Sequence, residues 1–179
     1  MNKLNFNDIP QFTRGASYRV NVGWDYLEEW ITQQQEKGIS RNIAILNLDP
    51  DFQRGYVWTD LQKTRYIEYI LRGGLSGRDL YFNCVGWMNG FSGPYVIVDG
   101  KQRLDAVRGF LRGEVRAFDR VFSEFEGKLR MTGPGFVVNI NDLKTCKEVL
   151  TWYLDLNSGG TVHTDEELNR VKALLEKAK

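Results

Sequence analysis

Apolar residues recur along this chain at two spacings. Trp24, Leu27, Trp30 and Ile31 share one face at the helical period, and Gly38 supplies a stop, which predicts a helix from Trp24 to Lys37. Ile67, Ile70 and Leu71 predict a second helix over 61–72, broken by Gly73-Gly74. Leu104, Val107, Phe110 and Leu111 predict a third that runs to Gly113. Val149, Leu150, Tyr153 and Leu154 predict a fourth over 144–156, stopped by Gly159-Gly160. A last helix carries Leu168, Val171, Leu174 and Leu175 behind the capping box Thr164-x-x-Glu167. Shorter apolar runs predict strands at 42–48, 80–85, 95–98 and 136–140. Asp49-Pro50 ends the first of these, and the glycine-rich loop 86–93 joins the next two as an antiparallel hairpin. Residues 1–23 are polar and irregular, an arm or a first strand. Over 114–141 apolar positions alternate, with Val115, Phe118, Phe122, Phe125, Leu129 and Met131 expected inward and a turn at Glu126-Gly127-Lys128. Helices mixed with short, partly antiparallel strands make an α+β domain, a small mixed sheet flanked by helices.

Composition narrows the function classes. A chain of 179 residues that is 42% hydrophobic and 13% aromatic builds one domain with a real core. The net charge of +1 gives no global field toward nucleic acid or acidic lipid, although 24 cationic and 23 anionic residues leave room for a local basic patch. Arg103, Arg108, Arg112, Arg116 and Arg120 form a basic series that reads as a solvated face rather than a nucleic-acid track. Cys84 and Cys146 are expected to be reduced core thiols. No apolar run approaches a membrane span, and the first residues lack the apolar core of a signal peptide, so the expectation is a cytoplasmic protein with no membrane partner. The single histidine, His163, reads as a loop residue and argues against His-rich zinc sites.

Three polar constellations carry candidate chemistry. In the first, the strand Tyr95–Val98 runs through Asp99-Gly100 into a helix that begins Lys101-Gln102-Arg103. A helix start offers unpaired N–H groups and the positive end of the dipole, both attractive to phosphate. Arg103 adds a bidentate fork, and Asp99 is suited to holding a metal ion or accepting a proton. Read locally, the same residues are a strand, a turn and an amphipathic helix with a solvated basic end. In the second, Gln53-Arg54 follows the Asp-Pro turn and is flanked by Phe52, Tyr56 and Trp58. Arg54 suits a phosphate, and the aromatics suit a base or the wall of a pocket. In the third, Asn157 precedes Gly159-Gly160, where small residues let a backbone approach a ligand closely. The local alternative there is a helix stop, a loop and a new helix start.

Taken in order, Phe52-Gln53-Arg54-x-x-Val57-Trp58, then Val98-Asp99-Gly100-Lys101-Gln102-Arg103-Leu104, then Asn157-Ser158-Gly159-Gly160 with Glu167-Leu168, resemble the DGQQR-motif domain that heads GmrSD-type restriction enzymes and related phage-defence proteins. The resemblance covers roughly 46–175 and implies a ParB/sulfiredoxin-like fold, with 1–45 as an N-terminal arm and helix and 46–179 as the nucleotide-binding domain of one compact unit. It implies NTP binding or hydrolysis with Mg2+, and a phage or bacterial setting. The family's acid and arginine fall on Asp99 and Arg103, its second glutamine on Gln102, its early pair on Gln53-Arg54 and its late asparagine on Asn157. Its first motif glutamine is Lys101 here, a residue able to bind phosphate or stabilise a transferring phosphoryl group. On this reading Asp99, Lys101 and Arg103 are the catalytic candidates, with Asp99 also the metal ligand. Gln53, Arg54, Gly100, Gln102, Asn157, Gly159 and Gly160 would line the nucleotide site. The alternatives are a phosphotransferase acting on a modified DNA base or small alcohol, and a non-enzymatic nucleic-acid-binding or regulatory module. Candidate partners beyond the nucleotide are DNA and a host or phage protein. The chain ends soon after the late motif, so DNA cutting by the C-terminal nuclease module of longer relatives is not expected from this polypeptide alone.

Overall fold

A computed structural model of the chain describes residues 5–6, 9, 18–40, 46–90, 93–127, 135–158 and 165–177. In chain order its elements are β1 (Tyr18–Val22), α1 (Trp24–Ser40), α2 (Asp60–Leu71), β2 (Asp79–Cys84), β3 (Tyr95–Asp99), α3 (Lys101–Leu111), β4 (Phe136–Asn141), α4 (Cys146–Ser158) and α5 (Asp165–Lys177). The strands form one mixed sheet in the order β1-β4-β2-β3. β2 and β3 are the expected antiparallel hairpin, β4 runs antiparallel to β1, and β4 runs parallel to β2. The fold is α+β.

Alternation along the strands sends side chains to two separate cores. Leu80, Phe82 and Cys84 of β2, Tyr95 and Ile97 of β3, and Phe136, Val138 and Ile140 of β4 are buried on one face. Trp24, Leu27 and Ile31 of α1, Ile67 and Ile70 of α2, and Leu104, Val107 and Phe110 of α3 close over them. The indole of Trp24 meets Phe136 edge-on at 5.0 Å, which seats α1 on the centre of the sheet. On the other face Val98 of β3 joins Val149, Leu150, Trp152 and Tyr153 of α4 and Val171 of α5. A strand buried on both faces loses the clean polar alternation of a half-exposed one, which is why Tyr95–Val98 reads as an unbroken apolar run.

Several expectations meet corrections. Of the strand expected over 42–48, residues 42–45 lie outside the described residues, and 46–48 contribute a single parallel bridge, Asn47 to Val96. The Asn47 side chain then accepts from the N–H of Asp49 at 2.9 Å, turning the chain away from the sheet. Over the described residues 114–127 the alternation does not hold one inward face: Ala117 and Arg120 close a two-residue turn on Phe118 and Asp119, both at positive φ (51° and 60°). This turn sends Phe118 outward, and Phe125 is also exposed; Val115 is buried, and Phe122 packs on the core. Leu129 and Met131 lie outside the described residues. Cys146, expected in the core, is exposed at the start of α4; only Cys84 is buried. The basic series is partly committed: Arg108 grips Glu28 of α1 with Nε at 2.6 Å and Nη2 at 3.2 Å, and Arg112 adds a contact at 3.2 Å.

Burial pushes the Glu28 carboxyl up, but the hydrogen bonds and charges of Arg108 and Arg112 outweigh it and hold the group below its ordinary 4.5. A lowered folded value adds stability above the unfolded value, and that stability disappears as the pH falls through the folded one. Glu28→Gln should therefore cost about 1 kcal/mol in urea unfolding at neutral pH, and the difference from the native chain should shrink as the pH falls through the lowered value of the carboxyl. The thiols give a second check. Burial, aided by the nearby Asp142 charge, pushes Cys84 up to about 12. A thiol reagent at pH 8 should modify Cys146 alone in the native protein and both cysteines in denaturant.

Candidate functional site

β3 ends and α3 begins within two residues. Gly100 makes this possible with φ of 96°, and a Cβ there would lie 2.7 Å from Leu80 Cδ2 and 3.2 Å from Arg103 Nη2. Glycine is thus required by both the backbone and the space. No side chain caps α3, and its first hydrogen bond runs from Leu104 N–H to Gly100 O at 2.8 Å. The N–H groups of Lys101, Gln102 and Arg103 stand ahead of that bond at the positive end of the helix.

Asp99 and Arg103 sit one turn apart and pair, Arg103 Nη2 donating to Asp99 Oδ2 at 2.8 Å. The same nitrogen donates to the carbonyl of Asp79 at 3.0 Å, so β2 holds the guanidinium in place. Arg103 Nε is buried and has no hydrogen-bond partner among the described residues.

The segment 49–58 wraps over this start of α3. Gln53 is buried and donates from Nε2 to the carbonyl of Ile97 at 2.7 Å. Gln102 Oε1 accepts from the N–H groups of Val57 at 3.0 Å and Trp58 at 3.2 Å, while its Nε2 donates to the carbonyl of Gly55 at 2.8 Å. Lys101 is buried as well: its ammonium pairs with Asp49, donates to the carbonyl of Arg54 at 2.9 Å and lies 4.4 Å from the Tyr56 ring centroid. Phe52 meets Tyr153 of α4 edge-on at 5.3 Å, and Trp58 meets Tyr66 of α2 edge-on at 5.3 Å. Burial raises the Tyr66 phenol far above its ordinary value, only partly offset by Arg103 and Arg78, so it stays a donor to the Gly77 carbonyl at 2.7 Å. Thr59 then starts α2 with a capping box to Gln62.

Between this segment, the start of α3 and the end of α4 lies a cleft of about 210 Å3, lined by Arg54, Asp99, Arg103, Trp58, Tyr153 and Asn157 among others. Asn157 donates to the Tyr153 carbonyl at 2.7 Å. The half-buried Arg54 guanidinium makes no ion pair with any described residue, whereas Arg103 has Asp99 and Lys101 has Asp49. The three constellations thus come together, but with different roles: Gln53, Lys101 and Gln102 direct their polar ends at the protein's own chain. Gly159, Gly160, His163 and Thr164 lie outside the described residues.

Some site residues carried no clear sequence signal. Asp49 reads as half of a turn, and nothing local links it to Lys101. Tyr153 reads as a core position of α4, yet it also lines the cleft. The i,i+4 spacing of Tyr153 and Asn157 was the one hint that both share a face.

A family model described as "GmrSD restriction endonuclease, N-terminal domain" matches residues 27–133, more than half of the chain. The matched span contains the 49–58 segment and the Asp99–Arg103 turn; Tyr153 and Asn157 lie beyond it. No curated protein and no solved structure matches the chain.

Among the described residues, the Gln102 amide is the one side chain that bonds the backbone of Gly55, Val57 and Trp58. Gln102→Ala should cost about 2–3 kcal/mol in denaturant unfolding, since it strands partly buried backbone groups. Gln102→Glu, which keeps the acceptor for Val57 and Trp58 but sets a carboxylate oxygen against the Gly55 carbonyl, should cost at least as much.

Proposed function

The chain belongs to the GmrSD restriction-endonuclease N-terminal-domain family, and from that premise we infer that its cleft binds a nucleoside triphosphate and hydrolyses it, or uses it as a switch, in a restriction and phage-defence setting. One observation carries the reading: Arg54, Asp99, Arg103 and the first turn of α3 line a single cleft. Phosphate oxygens suit this set. The α3 start supplies N–H groups and dipole, Arg54 brings a guanidinium with no counter-ion among the described residues, and Arg103 is pre-oriented by Asp99 and the Asp79 carbonyl. Trp58, Tyr153 and Leu156 give the cleft an apolar wall for sugar or base. At about 210 Å3 it is smaller than the roughly 300–1,000 Å3 of whole small-molecule pockets, which suits phosphates held inside and a base nearer the mouth.

Mg2+ fits such a site with one carboxylate, because the ion keeps water and takes its other ligands from substrate phosphates. Asp99 Oδ2 is engaged by Arg103, and Oδ1 has no partner among the described residues. Among those residues no three His, Cys, Asp or Glu side chains converge, so Asp99 alone would hold the ion. When bound, it would neutralise charge on the phosphate oxygens. Asp99 would place the phosphoryl group, and Arg103 would meet the charge that develops on it.

The test uses the four NTPs with labelled γ-phosphate and Mg2+, with and without DNA. Free phosphate should be released by the native chain; Asp99→Asn should lower turnover at least ~100-fold, and Arg54→Ala should raise KM about tenfold. Undiminished hydrolysis in Asp99→Asn would remove that residue from the reaction. Label recovered on DNA would make the activity phosphoryl transfer to DNA, and no binding or turnover with any nucleotide would leave a non-enzymatic module.

A further inference from the structure

Lys101 stands at the position of the cleft where a phosphate-binding cation is most expected, yet its ammonium is turned away from solvent. The side chain is 3% exposed, against 64% for its partner Asp49. The ammonium has three donors and no acceptor. Asp49 and the Arg54 carbonyl take two directions, and the face of Tyr56 covers the ammonium from another.

The contacts along 49–58 show what this arrangement holds. Phe52 is anchored by Tyr153, Gln53 by the Ile97 carbonyl, and Val57 and Trp58 by Gln102. Arg54 and Tyr56 lie between these anchors, and a Cβ at Gly55 would meet nothing within 4 Å. Among the described residues the hold on this stretch comes from Lys101, through the Arg54 carbonyl and the Tyr56 ring, and from Gln102 at Gly55.

We propose that Lys101 is a positioning residue and not a phosphate ligand: paired with Asp49, it fixes the loop that presents Arg54 to the cleft. The proposal rests on the reading of Arg54 as a phosphate ligand. The pair is lopsided by burial. Removing Asp49 strands a buried ammonium, whereas removing Lys101 leaves a carboxylate that water already reaches. A variant lacking both charges therefore probes the clamp without a stranded ion.

The experiment compares the native chain with Lys101→Met, Asp49→Asn and the double variant. Trypsin cuts after arginine, so cleavage of the Arg54–Gly55 bond under native conditions reads local opening of the loop. Loss of the ammonium's hold on the Arg54 carbonyl and the Tyr56 ring should speed that cleavage about tenfold in Lys101→Met and in the double variant, while the double variant melts near the native temperature. In both, KM for the NTP should rise about tenfold with kcat held within about twofold, the pattern of a lost ground-state contact. Native-like cleavage after Arg54 in Lys101→Met would overturn the proposal, as would a fall in kcat at unchanged KM, which marks a direct contact with the reacting phosphoryl group. Should the native chain neither bind nor turn over nucleotide, the nucleotide reading fails by itself, and the cleavage rates still decide whether Lys101 clamps the loop.

Discussion

The amide of Gln102 closes three backbone hydrogen bonds at once, and the cleft depends on them. The chain from Asp49 to Trp58 has neither strand nor helix in which to pair its backbone, and buried peptide groups without partners are costly. Side chains supply the missing partners: Gln53 reaches β3, and Lys101 and Gln102 reach up from the first turn of α3. Because Lys101 and Gln102 follow Gly100 directly, the turn that opens α3 to a ligand also holds the loop that walls the ligand's cleft. Conformation of the loop and geometry of the anion-attracting helix start are therefore one constraint.

The sheet explains why this constraint sits where it does. β3 sends alternate residues into different cores, Ile97 under α1 to α3 and Val98 under α4. Asp99 is the last residue of β3 and the first polar one after that doubly buried run, so its carboxylate emerges where both helical layers end. Its backbone neighbour across the hairpin, Tyr81, follows Asp79 and Leu80, whose carbonyl and side chain bound the space left by Gly100. β4 inserts between β1 and β2 from far along the chain, which ties β1 and the α1 that follows it to the hairpin.

Legibility in the sequence follows locality. The helices beginning at Trp24, Asp60 and Lys101 are readable because their apolar faces repeat within a few residues, and the β2–β3 hairpin because its partners are adjacent. Residues 46–48, the described part of the run before Asp-Pro, mislead because a short apolar run looks like a full strand whether or not a sheet edge receives all of it; they contribute one bridge at Asn47. Phe118 and Phe125 mislead because alternation reads as a face, although a two-residue turn at positive φ redirects the chain there. In the site, Asp99, Gly100 and Arg103 are legible as one turn. The Asp49–Lys101 pair is not, since 52 positions separate its members and each has an unremarkable local reading.

The sequence by itself determined the helical segments, the β2–β3 hairpin, the strand–Gly–helix start and the chemical types gathered there, because period, glycine and charge act over a few neighbouring residues. The tertiary structure alone decided which of those polar groups stay available. Burial of Gln53, Lys101 and Gln102 against a loop with unpaired backbone turns them to the protein itself. Arg54, with no counter-ion among the described residues, and the Asp99–Arg103 pair remain for the cleft. That division is set by long-range packing, because only the folded chain determines which donors and acceptors lie within reach of one another.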